Sequence, residues 1–228
     1  TRKESSAASD VYKRQDEWGV DVTVSGSQKG LMLPPGISFN AVSKKAIEAS
    51  KTAKLPRAFW GWTEIIEMNK TGYWPYTPNT NLLYGLNEAL DMILEEGLDN
   101  VFARHDRLSA ACRLAVNAWG LEVQCADPTV YSPILTGVMT PEGFDADAIR
   151  KTIYERFNMS LGTGLGKMKG RMFRIGHLGE ANDLSLMATL AGCEMGLKIA
   201  GVKLAGSGVG AAMEYLAEQK IPPLKIAA

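Results

Sequence analysis

From residue 81 onward the chain keeps a helical spacing of apolar residues that glycines interrupt, and this constrains its fold more than any other feature. Leu82, Leu86, Leu90 and Ile93 recur one helical turn apart over residues 81–96, and Gly97 stops the run. A second helix is expected from about Leu98 to Trp119, closed by Gly120. Short apolar segments then alternate with further helical ones. Strands are expected over 121–126, 134–139 and 172–175, and helices over 145–157, 182–200 and 208–219. Asp145 is a suitable cap for the helix that follows it. Helices alternating with strands on this scale predict a compact α/β unit.

The upstream part reads differently. Val20–Val24 alternates as a strand, and residues 36–42 follow as a second one. Ser43 caps a polar helix expected over 44–54, which ends before Pro56 because the residue preceding a proline is forced out of helical geometry. Residues 59–78 are expected to be irregular and, being rich in Trp60, Trp62, Tyr73, Trp74 and Tyr76, to pack against something. Residues 1–15 are polar, Ser/Ala-rich and without apolar period, and they lack the apolar stretch of a secretory signal. They are set aside as a non-native or disordered leader. Two regions result, 16–80 and 81–228.

The charge balance excludes several roles. Lys+Arg and Asp+Glu are both 25, so a nucleic-acid or anionic-membrane partner has no electrostatic case. No apolar run approaches the roughly 20 residues of a membrane span. The three cysteines, Cys112, Cys125 and Cys193, have neither disulfide-framework nor zinc-site spacing, and two histidines cannot build a histidine-rich metal centre. They read as packing residues in a reducing, cytoplasmic setting. The ending Leu224-Lys-Ile-Ala-Ala228 is not an S-K-L peroxisomal address.

Four segments carry candidate chemistry. The strand after Val20 runs into a small-residue turn that delivers Lys29. A lysine there is either a surface turn residue or, if burial depresses its pKa, a nucleophile toward carbonyl carbons. Arg174 stands inside the apolar run Met172-Phe-Arg-Ile-Gly176. It is either an ion-paired structural arginine or a fork for a carboxylate, whose two oxygens match two parallel N–H donors. Thr77 precedes a helix start, where hydroxyls and free N–H groups gather around anions. Leu161-Gly-Thr-Gly-Leu-Gly-Lys-Met-Lys-Gly170 has the glycines of a nucleotide loop but leads into a strand, so a turn that lets Arg174 approach a ligand is the better reading.

Ser25-Gly-Ser-Gln-Lys29 with Pro34-Pro-Gly36 resembles the cofactor-lysine motif of the serine–glyoxylate and alanine–glyoxylate aminotransferases. Residues 76–86, 97–105 and 173–183 resemble later blocks of that family in the same order. The resemblance covers about Asp16 to Gln219. It implies the aspartate-aminotransferase-like fold of pyridoxal-phosphate-dependent transferases, with 16–80 as the end of the large domain and 81–228 as the interdomain helix and the small α/β domain. It implies that Lys29 holds pyridoxal phosphate as an internal aldimine and then moves a proton between substrate and cofactor. Gln28 and Thr77 would contact the cofactor phosphate, Thr77 that of the neighbouring subunit, and Arg174 the substrate α-carboxylate. Where the family has a further aromatic hydroxyl, this chain has Trp74, flanked by Tyr73 and Tyr76, and Tyr76 is the candidate. Amino-acid and 2-oxo-acid substrates and a homodimer with shared active sites are also implied.

The resemblance leaves the family's upstream part without counterpart, including the acid that pairs with the pyridine nitrogen. The fragment alone is therefore expected to bind cofactor poorly and turn over little. Two alternatives stand beside transamination. One is a desulfurase-like lyase, although Gln28 occupies the place of the histidine such enzymes have before their lysine. The other is a non-catalytic α/β dimerisation fragment.

Overall fold

The computed structural model describes residues 16–218, so the leader at 1–15 and the chain end beyond 218 lie outside the described residues. The chain divides into two compact units that meet in sequence between Leu98 and Asp99.

The first unit opens with an antiparallel pair, β1 (Val22–Gly26) and β2 (Ser38–Val42), in the register Val24↔Asn40. Three helices follow: α1 (Lys44–Lys51), α2 (Trp62–Asn69) and α3 (Thr80–Glu96). Ser43 caps α1 as expected, with its Oγ accepting from Ala46 N–H and donating to Asp21 Oδ1. Its core is small: Leu31, Leu33 and Ile93, with Met32, Phe39, Leu82 and Leu86 packed against them. The spacing of Leu82, Leu86 and Ile93 works as expected, whereas Leu90 is exposed and Ala89 takes the buried position beside it; α3 packs in this unit although it begins near residue 80.

Val24 of β1 is 53% exposed, because a two-stranded ribbon covers neither of its faces. One expectation is corrected here. The aromatic segment is not wholly irregular, since α2 forms within it. Phe59 and Tyr76 stack on each other with centroids 4.7 Å apart, whereas Trp60, Tyr73 and Trp74 remain exposed.

The second unit is a helix-covered sheet. α4 (Leu98–Ala118) is followed by β3 (Leu135–Met139), α5 (Ala146–Phe157), β4 (Gly162–Thr163), β5 (Met172–Gly176), α6 (Asp183–Ile199) and α7 (Gly208–Glu218). The sheet is antiparallel in the order β3-β5-β4. Residues 121–126 do not form the expected strand. They make a single bridge, Val123↔Val138, with Gln124 N–H donating to Gly137 O and Met139 N–H to Glu122 O. Asp145 caps α5 by accepting from Asp147 N–H, and Asn182 and Ser185 form a reciprocal capping box at α6.

Side chains on a strand alternate between its faces. Thr136 and Val138 of β3 and Phe173 and Ile175 of β5 are therefore all buried, and all but Thr136 join Leu108, Cys112, Trp119, Ile153, Leu190 and Leu197 in one core. Within that core lies a charge the sequence does not advertise. The buried Glu194 of α6 accepts from Trp119 Nε1, Ser207 Oγ and Val209 N–H at one oxygen and from Lys198 Nζ at the other. One carboxylate thereby ties together α4, α6 and the start of α7. Burial by itself raises its pKa. The hydrogen bonds from Lys198, Trp119 and Val209 outweigh that and hold it at about 2 against an ordinary 4.5.

A carboxyl whose folded pKa is depressed stabilises the fold above the unfolded pKa. That stability disappears as pH falls through the folded value. Glu194 should contribute on the order of 3 kcal/mol at neutral pH, lost between about pH 4.5 and 2. Glu194→Gln keeps the shape but not the charge. Denaturant titrations across that window are expected to show this component in the parent chain and its loss in the variant.

Candidate functional site

Lys29 sits on a turn built around Ser27, whose role no sequence pattern signals. Ser27 is fully buried and makes four hydrogen bonds. Its N–H donates to Ile37 O, and its carbonyl accepts from Leu33 N–H. Its Oγ donates to Pro34 O at 2.8 Å and accepts from Ile37 N–H at 3.2 Å. Each end of the 27–37 loop is thus closed onto one small polar side chain, and Met32 N–H closes the inner turn on Lys29 O at 3.0 Å. The loop is anchored outward by Leu31 and Leu33, which bury against α3. Gly85 of α3 makes this possible, since a Cβ there would stand 2.7 Å from Leu33 Cδ2.

Lys29 itself is exposed, so of the two readings of its position the fold contains the surface turn residue. Among the described residues its ammonium makes no hydrogen bond or ion pair. Gln28 is also exposed and folds its amide back over Gly26. Thr77 and Tyr76 are exposed residues of the same unit, just before α3, whose first turn is capped by Asn79 Oδ1 accepting from Leu82 N–H. Tyr76 packs on Phe59, and no hydrogen bond or ring contact joins Thr77 or Tyr76 to Lys29 among the described residues.

Arg174 lies in the second unit. It does not break β5. The alternation that sends Phe173 and Ile175 into the core puts Arg174 on the opposite face, half-buried. Its cross-strand neighbours are glycines on both sides, Gly137 of β3 and Gly162 of β4. The side chain lies over Gly162, where an added Cβ would stand 3.0 Å from Arg174 Cβ and Nε. Nε donates to Thr163 O at 2.8 Å. Among the described residues Arg174 has no carboxylate partner, and its two Nη atoms make no hydrogen bond, so the ion-paired structural reading is not what the fold contains.

The glycine segment before β5 is held, not loose. Thr163 Oγ1 donates to Asp147 Oδ1 at 2.8 Å, Arg150 Nη1 reaches the same oxygen at 2.8 Å, and Arg150 Nε donates to Leu161 O at 2.8 Å. Hydrogen bonds from Thr163 and then Arg150 hold the Asp147 carboxyl below the usual carboxylate range. Downstream of β5, Arg104 donates to Gly179 O and Ala181 O, and Gly179 N–H donates to His105 Nε2. Apart from the Asp147–Arg150 pair within α5, none of these ties is visible as a motif, because each joins separate segments of the chain.

Both histidines are structural. An amide N–H can only donate, so His105 Nε2 is unprotonated and Nδ1–H donates to Val101 O at 2.7 Å. His177 is buried. A carbonyl can only accept, so its Nδ1–H donates to Pro133 O while Nε2 accepts from Thr136 Oγ1. Burial pushes the Cys112 thiol up to about 11 and raises Cys193 as well, the chemistry of packing residues. No group of three or more metal-ligating side chains is found among the described residues, nor a helix long and apolar enough to cross a membrane.

No known protein-family model matches the chain. It is 48% identical to a serine–glyoxylate aminotransferase of Hyphomicrobium methylovorum over 216 residues, 93% of this chain and 53% of the relative. It is 51% identical to a serine–glyoxylate aminotransferase of Arabidopsis thaliana, over 89% of this chain and 51% of the relative. Among solved structures, pyridoxamine–pyruvate aminotransferase of Mesorhizobium loti superposes with a TM-score of 0.81 at 32% identity, covering 92% of this chain and 55% of that one. The chain is thus a homologue of the serine–glyoxylate aminotransferases with the α/β fold of the pyridoxal-phosphate-dependent aminotransferases, as expected. It spans about half the length of the curated relatives it matches.

Burial comes first among the causes that push the pKa of His177 from 6.5 down to about 4, with the Arg113 charge acting the same way against the Pro133 hydrogen bond. A histidine held neutral costs the fold stability as pH falls from about 6.5 toward 4. Ring NMR is expected to find His177 neutral with its proton on Nδ1 at pH 6. Half-protonation there would contradict the buried network.

Proposed function

We propose that this chain is the lysine-bearing part of a pyridoxal-phosphate-dependent aminotransferase that moves an amino group from serine, or alanine, to glyoxylate. The products are glycine and hydroxypyruvate, or pyruvate. The observation that carries this reading is an exposed primary amine, Lys29, without a partner among the described residues and held on a loop closed by Ser27. The names of the relatives at 48% and 51% identity supply the reaction class.

The available residues fit the cofactor. Lys29 Nζ would hold the cofactor through its carbonyl carbon and, when free, would carry a proton between the substrate α-carbon and the cofactor. Only a primary amine serves both purposes. Thr77 and Gln28 are assigned to the cofactor phosphate, and Tyr76 is the candidate aromatic hydroxyl beside it. The start of α3, whose first N–H groups have no carbonyl within the helix, favours an anion nearby. Arg174, with Nε committed and both Nη atoms open among the described residues, is assigned to the substrate α-carboxylate. Pyridoxal phosphate, when bound, supplies the electron sink for cleavage at the α-carbon.

Residues 16–80 are assigned to the end of the large domain and those from 81 onward to the interdomain helix and small domain. A homodimer with shared active sites and a cytoplasmic location complete the reading. A desulfurase-like reaction is disfavoured by the cysteines: Cys112 and Cys193 are buried, and Cys125 donates to Asp127 O.

In the whole protein, Lys29→Ala is expected to lower serine–glyoxylate transamination by about 10²–10⁴-fold. Borohydride reduction in the presence of pyridoxal phosphate should leave the cofactor on the Lys29 peptide. Arg174→Ala should raise KM for both carboxylate substrates. Labelling of another lysine, or full activity of Lys29→Ala, would refute the assignment.

A further inference from the structure

Arg174 has three edges through which a guanidinium can meet a carboxylate, and the fold leaves one of them fully open. Its Nε–H points at Thr163 O, 2.8 Å away, which fixes the plane of the group and removes Nε from any side-on contact. The end-on edge, Nη1 with Nη2, has no partner among the described residues. The acceptor that sets this direction lies on β4, a strand of two residues with a very short ladder to β5. Side chains of α5 make up for that. Asp147 Oδ1 receives both Thr163 Oγ1 and Arg150 Nη1, and Arg150 Nε holds Leu161 O, so 161–163 is fastened at both ends to the first turns of one helix. Gly162 leaves room for the arginine stem to lie flat across β4.

We propose that Thr163 and Asp147 are positioning residues, which aim Arg174 so that a carboxylate binds end-on through Nη1 and Nη2. The inference rests on the assignment of Arg174 to the substrate carboxylate and adds the direction of approach and the residues that set it. Arg150 acts through Asp147, neutralising that carboxylate so that it does not compete for the arginine. The arrangement selects a planar, two-oxygen anion, because the open edge presents two parallel N–H groups.

The test follows the Arg174 side-chain signals in ¹⁵N–¹H spectra of the chain. Thr163→Val keeps the shape and removes the hydroxyl. It should speed hydrogen exchange at Arg174 Nε by about 5- to 10-fold, the loss of roughly one hydrogen bond. Thr163→Ser should restore the parent rate. Asp147→Ala, at a partly exposed position that should not threaten folding, should reproduce the effect of Thr163→Val. Titration with glycolate, a carboxylate that cannot react with amines, should shift the Nη signals and leave Nε–H protected. Unchanged Nε exchange in Thr163→Val and Asp147→Ala, failure of Thr163→Ser to restore it, or loss of Nε protection on glycolate binding would each overturn the proposal. If glycolate leaves Arg174 untouched while the hydroxyl dependence persists, the carboxylate assignment fails and the positioning by Thr163 and Asp147 stands.

Discussion

The two-residue period of β5 is the constraint from which the second unit follows. Phe173 and Ile175 must enter a core closed by α4 and α6, so Arg174 between them must leave on the other face. A shift of one residue would put a guanidinium against Leu108 and Leu190 and would expose Phe173, an exchange no other contact could offset. The same period sets glycines beside the arginine on both neighbouring strands, which gives the side chain a floor over Gly162. Core packing and the candidate ligand fork are thus two consequences of one register.

Buried polar hubs do the joining that a modest apolar core does not. Ser27 closes an eleven-residue loop, 27–37, by using its N–H, its carbonyl and its hydroxyl, while Leu31 and Leu33 hold that loop to α3. Glu194 does the corresponding work for three helices of the second unit. A buried polar atom left unpaired costs about 1–3 kcal/mol. Each hub therefore specifies its neighbourhood more sharply than a leucine of similar volume would, because a displaced partner leaves an unsatisfied group behind. Lys29 needs this kind of support: an exposed lysine has no packing of its own to direct it.

Much of the fold was legible. The turn-to-turn spacing of Leu82, Leu86 and Ile93, the glycine stops and the caps at Ser43 and Asp145 all act within one or two turns of chain. The segment 121–126 was misread as a strand because its apolar residues suit one, yet only Val123 finds a bridge. α2 was missed because its aromatic neighbours suggested irregular structure. The exposure of β1 was not legible, since alternating valines predict a strand but not how many strands lie beside it. Of the candidate site, Lys29 and Arg174 stood out as chemistry-bearing residues in segments that did not otherwise explain them. Ser27, Thr163, Asp147 and Glu194 did not, since a serine in a turn or an acid in a helix is commonplace until its partner is known.

What the sequence by itself determined is local or inherited: helix and strand periods, their caps and stops, and the family resemblance that attaches a reaction class to Lys29 and Arg174. What only the tertiary structure decided is direction and exposure. Arg174 became an open fork only when β4 and α5 placed Thr163 O against its Nε, and Lys29 became an exposed amine on a pinned loop only when Ser27 closed residues 27–37. The reason is geometric. A period or a cap is fixed by neighbours three or four positions away, whereas these hydrogen bonds join atoms up to 16 positions apart in sequence, and only the folded chain brings them within 3 Å.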